Sequence, residues 1–120
     1  MKKILSLDDS MTMVQTVKLA LTKAGYEVVT FTEGQKALNY LQGNKVDLVV
    51  TDLHMPAMDG ITFIKKLRSL PNCRFTPIII LTTETQVKKK EEARQAGATA
   101  WVTKPFAPAQ LVSVVQKVLR

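Results

Sequence analysis

Three aspartates, Asp8, Asp9 and Asp52, together with Thr82 and Lys104, are the residues whose types could do chemistry jointly. A carboxylate can attack a phosphoryl donor and carry the group as an acyl phosphate. Such transfer is chiefly a matter of positioning and charge neutralisation. In this reading Asp52 is the nucleophile, and Asp8 and Asp9 hold a hard divalent cation. Mg²⁺ suits them in particular, because it takes oxygen ligands and keeps some of its water. Lys104 would neutralise the phosphoryl group and Thr82 would donate a hydrogen bond to it. The chain has only 10 acidic residues, and three of its five aspartates belong to this set. If they gather, each carboxylate pair at ~4 Å and an effective dielectric of about 20 costs roughly 4 kcal/mol. A fold selected for stability alone would keep them apart, and a cation would relieve the repulsion. On that estimate, Asp52→Asn is expected to raise the melting temperature without Mg²⁺.

Each residue also has a plainer role. Asp8, Asp9 or Ser10 could cap a helix, Asp52 could turn a loop, Thr82 could be an ordinary strand-end hydroxyl, and Lys104 could be a structural ammonium. Their positions relative to the predicted elements argue otherwise. Short, β-branched apolar runs occur at 4–7, 28–31, 46–50, 78–81 and 100–102, as in strands buried on both faces. Between them lie stripes with helical spacing: Met11, Val14, Val17 and Leu21; Ile61, Ile64 and Leu67; Leu111, Val114, Val115 and Val118. Gly25, Gly43 and Gly97 sit where helices should stop. Thr32 with Gln35 reads as a capping box, Asp59 as an N-cap, and Pro108 as a first-turn proline. Glu84, Glu91 and Glu92 read as acids in the first half of the fourth helix. Five βα units imply a mostly parallel sheet with helices on both faces. Ligands bind outside the carboxyl ends of such strands, and that is where Asp8, Asp9, Asp52, Thr82 and Lys104 fall.

The 120 residues suit one domain, 1–120, and the 46% apolar content suits one core. A single cysteine, Cys73, cannot form an internal disulfide and fits a reducing compartment. The longest uncharged run, 105–116, contains two prolines, and the apolar run after Lys2 and Lys3 is too short for a signal peptide. A soluble, cytoplasmic protein is expected. The net charge of +7 could favour acidic partners or nucleic acid, but no aromatic residues interleave with the cations to make a base-stacking platform.

The stretches Leu7-Asp8-Asp9-Ser10, Thr51-Asp52-Leu53-His54-Met55-Pro56-Ala57-Met58-Asp59-Gly60, Leu81-Thr82-Thr83, Gly97-Ala98 and Thr103-Lys104-Pro105-Phe106 closely resemble the receiver domain of two-component response regulators. Stand-alone CheY-like chemotaxis regulators are the nearest in pattern, over essentially the whole chain. The resemblance implies a flavodoxin-like, doubly wound five-stranded parallel sheet of order 2-1-3-4-5 with five helices. It implies that Asp52 accepts phosphate from a histidine kinase of the CheA-like kind. Asp9, Asp52 and the backbone carbonyl of His54 would ligate Mg²⁺, with Asp8 acting through water. Backbone N–H groups of His54 and Thr83 would join Thr82 and Lys104 around the phosphoryl oxygens, and Lys104-Pro105 would be a cis peptide. Thr82 would signal to Trp101, at the family's switch-aromatic position, and so to the face made by the fourth helix, fifth strand and fifth helix. The positions of His54 and Glu84 tune phosphoryl lifetime in this family. Such a protein is a phosphoacceptor that assists its own phosphorylation and dephosphorylation rather than an enzyme acting on a separate substrate.

With no DNA-binding domain after Arg120 and no membrane span, output is expected through a protein partner. Lys88, Lys89, Lys90 and Lys117 suit an acidic target such as a flagellar motor switch protein, and a phosphatase is a possible further partner. A phosphorelay intermediate or phosphate sink is the alternative. An aspartyl phosphatase fits less well, because His54 stands where its second acid belongs. A cobalamin carrier would need a glycine where Ala57 stands.

Overall fold

The predicted apolar runs become the strands of one sheet in the computed structural model, which describes all 120 residues. The elements are β1 (Lys3–Leu7), α1 (Met11–Lys23), β2 (Glu27–Phe31), α2 (Gly34–Gly43), β3 (Leu48–Thr51), α3 (Gly60–Arg68), β4 (Ile78–Thr82), α4 (Val87–Ala96), β5 (Ala100–Thr103) and α5 (Pro108–Leu119), with a 3₁₀ turn at Pro71–Cys73. The five strands pair in parallel in the order β2-β1-β3-β4-β5, as expected. No helix is long and apolar enough to cross a membrane.

Alternate strand side chains feed two cores. Leu5, Leu7, Val49, Ile78 and Ile80 meet Leu38 and Leu41 of α2, Phe63, Ile64 and Leu67 of α3, and Ala93 of α4. On the opposite face, Ile4, Leu48, Val50, Ile79, Leu81 and Val102 meet Val17 and Leu21 of α1 and Leu111 and Val115 of α5. Burial on both faces is why the strands read as continuous apolar runs instead of alternating ones. Each buried aliphatic side chain contributes about 1.5–3 kcal/mol.

Asp59 caps α3, its carboxylate accepting from the Thr62 N–H at 2.8 Å, and Pro108 opens α5. Ser10 caps α1, with Oγ accepting from the Met13 N–H at 3.2 Å. Gly25 and Gly97 follow α1 and α4 with φ of 99° and 122°, a region that favours glycine.

Four expectations need correction. No capping box opens α2: Glu33 is the N-cap, without a side-chain bond, and Gln35 bonds Asn39 instead. Gly43 does mark the end of α2 as expected, but as its last helical residue and not in a left-handed C′ conformation. Glu84 lies in the loop before α4 and Glu91 and Glu92 sit mid-helix, because α4 begins only at Val87. Met11 opens the α1 stripe but is 62% exposed. It is the first residue of α1, and the buried stripe of that helix begins only at Val14.

Candidate functional site

Strand register builds the site. Leu7 of β1 pairs with Thr51 of β3, so the next residues, Asp8 and Asp52, emerge side by side at the carboxyl edge of the two central strands. The Asp8 N–H donates to the Phe31 carbonyl and the Asp52 N–H to the Leu7 carbonyl, each at 3.2 Å. Thr82 ends β4 beside β3. Lys104 follows β5, with its N–H donating to the Thr82 carbonyl at 2.8 Å. The Lys104-Pro105 peptide is cis, as expected.

Asp8, Asp9 and Asp52 each offer a carboxylate oxygen, and these oxygens lie within 4.8 Å of one another. Asp8 and Asp52 are buried and Asp9 is exposed. The Lys104 ammonium sits between the two buried carboxylates, 2.7 Å from Asp8 Oδ2 and 3.1 Å from Asp52 Oδ2. Asp8 Oδ1 accepts from the Ser10 N–H at 3.0 Å. Asp52 Oδ1 accepts from the N–H groups of Leu53 at 2.6 Å and His54 at 3.3 Å.

These surroundings separate the two carboxyls. Burial pushes Asp8 above the ordinary aspartate value, and the opposing bonds from Lys104 and the Ser10 N–H do not cancel it. Burial acts upward on Asp52 as well. There the Thr82 hydroxyl and the Lys104 ammonium outweigh it and hold the carboxyl below its usual value. Lys104 loses solvation, but its two carboxylate partners outweigh that loss and raise it. A buried, ionised Asp52 flanked by an ammonium is suited to nucleophilic attack. The Lys104 ammonium therefore opposes the repulsion inferred from the sequence, and burial, more than the Asp52 charge, is what lifts Asp8. This moves the expected gain in stability from Asp52→Asn to Asp8→Asn.

The three converging carboxylates fit a hard cation, since all the donors are oxygen and a net negative charge remains beside a single ammonium. Thr83 is exposed in the loop after β4, and its N–H donates to no acceptor within the protein. The His54 N–H already points to the Asp52 carboxylate. The His54 ring is exposed in the loop after β3, and its Nε2 lies 2.9 Å from Glu84 Oε1. Glu84 is held below its ordinary value by the Gln86 N–H first and by His54 as well.

Trp101 stands apart from this cluster. It lies on β5 opposite Ile80, packed against the core under α2, α3 and α4. Its Nε1–H is enclosed without a partner, and the Lys90 ammonium lies 5.4 Å from the ring centroid. The indole, Val87, Lys90 and Arg94 line a cleft of about 410 Å³ between α4 and β5.

Sequence reasoning did not single out Gly60. A Cβ there would stand 2.2 Å from the Asp52 carbonyl oxygen, so α3 starts hard against the backbone of the candidate acceptor. The Asp59-Gly60 dipeptide was the visible signal.

The family model for the response regulator receiver domain matches residues 4–116. The chemotaxis protein CheY4 of Vibrio cholerae is 44% identical, with a TM-score of 0.96 over 99% of both chains. The receiver domain of a Pseudomonas aeruginosa sensor histidine kinase is 28% identical, with a TM-score of 0.88 over 97% of this chain and 95% of that one. Its structure is described with a magnesium ion coordinated in the active-site cleft. The alkaline phosphatase synthesis transcriptional regulatory protein PhoP of Bacillus subtilis is 35% identical over 119 residues, covering 99% of this chain and 49% of that protein. The chain spans about half the length of the curated relatives it matches.

Proposed function

The chain belongs to the response regulator receiver domain family, and on that premise we propose that it is a phosphorylation-dependent switch whose acceptor is Asp52. An Asp52 oxygen attacks the phosphorus of a phosphohistidine, the new O–P bond forms, and the donor nitrogen departs with the electrons of the broken P–N bond. Asp8, Asp9, Asp52 and the His54 carbonyl would hold Mg²⁺, which when bound neutralises charge on the transferring oxygens. Lys104 and the Thr82 hydroxyl contribute to the same end, with the Thr83 N–H as a further donor. The chain acts as a phosphoacceptor that helps to load and unload itself rather than as an enzyme with a separate substrate. The observation that carries this reading is the contrast between the two buried aspartates. Both pair with Lys104, but Thr82 and Lys104 hold the Asp52 carboxyl below its ordinary value, whereas burial lifts Asp8 above it.

Output through a protein partner, as in chemotaxis, is supported by the 44% identity to CheY4 over the full length of both chains. An acidic target suits Lys88, Lys90 and Lys117, which are exposed and without carboxylate partners on or near the α4–β5–α5 face. The cleft beside Trp101 would pass on the change at Thr82. A second reading, control of transcription, is supported by the curated relatives, transcriptional regulators that this chain matches over about half their length.

The test is mass spectrometry of the intact protein after incubation with acetyl phosphate and Mg²⁺. One added phosphoryl group is expected, absent in Asp52→Asn and absent when the divalent cation is chelated. An adduct that persists in Asp52→Asn would assign the acceptor elsewhere.

A further inference from the structure

At the amino-terminal ends of β3 and β4, about 13 Å along β3 from the acceptor edge, lies a second cleft of about 400 Å³. One wall is the loop between the 3₁₀ turn and β4, and the other is the connection from α2 to β3. Phe75 is 89% exposed on the first wall. The Arg74 guanidinium lies over its ring, 5.7 Å from the centroid, and has no carboxylate partner. Lys45, exposed on the second wall, also has none. The single acid of the cleft, Asp47, is engaged, its Oδ2 accepting from the Lys3 N–H at 2.7 Å. With Lys45 and Arg74 against Asp47, +2 − 1, the cleft carries a net charge of +1, and its two cations, neither paired with a carboxylate, stand on opposite walls beside an aromatic ring.

The aromatic wall is held in place. The Cys73 carbonyl accepts from Arg68 at 2.8 Å, the Asn72 side chain donates to the Leu41 carbonyl at 3.0 Å, and the Pro77 carbonyl accepts from Val49 at 3.0 Å. An exposed Phe–Arg pair carried on this anchored backbone has the composition enriched at protein interfaces. Nothing in the core requires Phe75, since its neighbours Cys73 and Thr76 are the ones that turn inward.

We propose that this cleft docks an acidic protein segment that carries one apolar side chain, independently of the acceptor site. Carboxylates on the partner would pair with Lys45 and Arg74 on either side of an apolar residue resting on Phe75. Pairing of this face with itself in a second copy fits poorly, because it would bring Lys45 and Arg74 against like charges. Because the cleft and Asp52 lie at opposite ends of the same strands, a segment bound here leaves the acceptor open to its phosphodonor.

The test uses a short labelled peptide with glutamates around one phenylalanine, titrated into the isotopically labelled full chain. Amide shifts confined to residues 45–47 and 71–77 are expected, with affinity falling about tenfold in Phe75→Ser and in Lys45→Glu/Arg74→Glu. Both variants should keep the parent's melting temperature and its acetyl phosphate adduct. The proposal is overturned if the peptide does not bind, if its shifts map elsewhere, or if the variants bind it equally. It is equally overturned if a glutamate-only or lysine peptide binds as well, if single-stranded DNA displaces the peptide from these residues, or if the shifts follow self-association.

Discussion

His54 Nε2 lies 2.9 Å from Glu84 Oε1, and this contact joins the loop after β3 to the loop after β4. Each loop also touches the acceptor machinery. The His54 N–H donates to Asp52, and the Glu84 N–H donates to the Thr82 hydroxyl at 3.3 Å. The pair thus ties the backbone donor of the carboxylate to the segment carrying the hydroxyl. Removing it with His54→Ala or Glu84→Ala should loosen both loops and shorten the phosphoryl lifetime, by at most about fivefold if the whole ~1 kcal/mol of such an exposed pair acts on that step. The melting temperature should hardly move. Loss of the acetyl-phosphate-derived adduct with time, followed by mass spectrometry, decides it, and an unchanged or lengthened lifetime would assign the pair no such role.

Lys104→Met leaves two buried carboxylates facing each other without their shared cation. Removing one partner of a buried ion pair typically costs about 3 kcal/mol. We expect a loss of that order in chelator, measured by urea unfolding, and a partial recovery on adding Mg²⁺. Equal losses with and without Mg²⁺ would argue that the three aspartates do not hold the ion.

Asp8→Asn should raise the melting temperature in chelator, whereas Asp52→Asn should not. Burial makes ionised Asp8 a cost to the fold, while Thr82 and Lys104 make ionised Asp52 a gain. The reverse order in a thermal scan would mean that burial weighs more on Asp52 than on Asp8.

Gly60→Ala should destabilise by about 2–3 kcal/mol, because the new methyl would stand 2.2 Å from the Asp52 carbonyl oxygen and backbone must move. Gly43→Ala makes the same chemical change in open space at the end of α2. It should be neutral or stabilising by up to about 1 kcal/mol. The contrast in urea midpoints isolates the close approach from glycine's general effect on the unfolded chain.

Trp101 is the only tryptophan, so its fluorescence reports on the α4–β5 cleft alone. Addition of Mg²⁺ with beryllofluoride should change the emission, and Lys90→Ala should shift the resting signal by removing the ammonium over the ring. No response, with binding shown independently, would remove Trp101 from the switch.

How far the sequence could be read follows from the range of each interaction. The strands were legible because burial on both faces leaves unbroken apolar runs such as Ile78-Ile79-Ile80, and Asp59 was legible because its bond is only three residues long. Helix α4 was the least legible, since only Ala93 of its ten residues is buried and the apolar stripe is missing. The start of α2 was misread because its register is set by tertiary packing. Gly34 is buried, and a Cβ there would lie 3.1 Å from the Met58 sulfur. Asp8, Asp52, Thr82 and Lys104 could be placed together because a parallel sheet collects its strand ends. The partition of their charges, the His54–Glu84 contact and the reason for Gly60 all depend on distances that no local pattern encodes.

Lys104 reaches Asp8 across 96 positions of chain. During synthesis, Asp8 and Asp52 therefore leave the ribosome well before the ammonium that balances them, and until the last strand arrives the acidic edge lacks its own counter-charge. The counter-ion of the centre is delivered by the segment that completes the sheet, so a partly made molecule has the acceptor's residues without the electrostatics that would make them work.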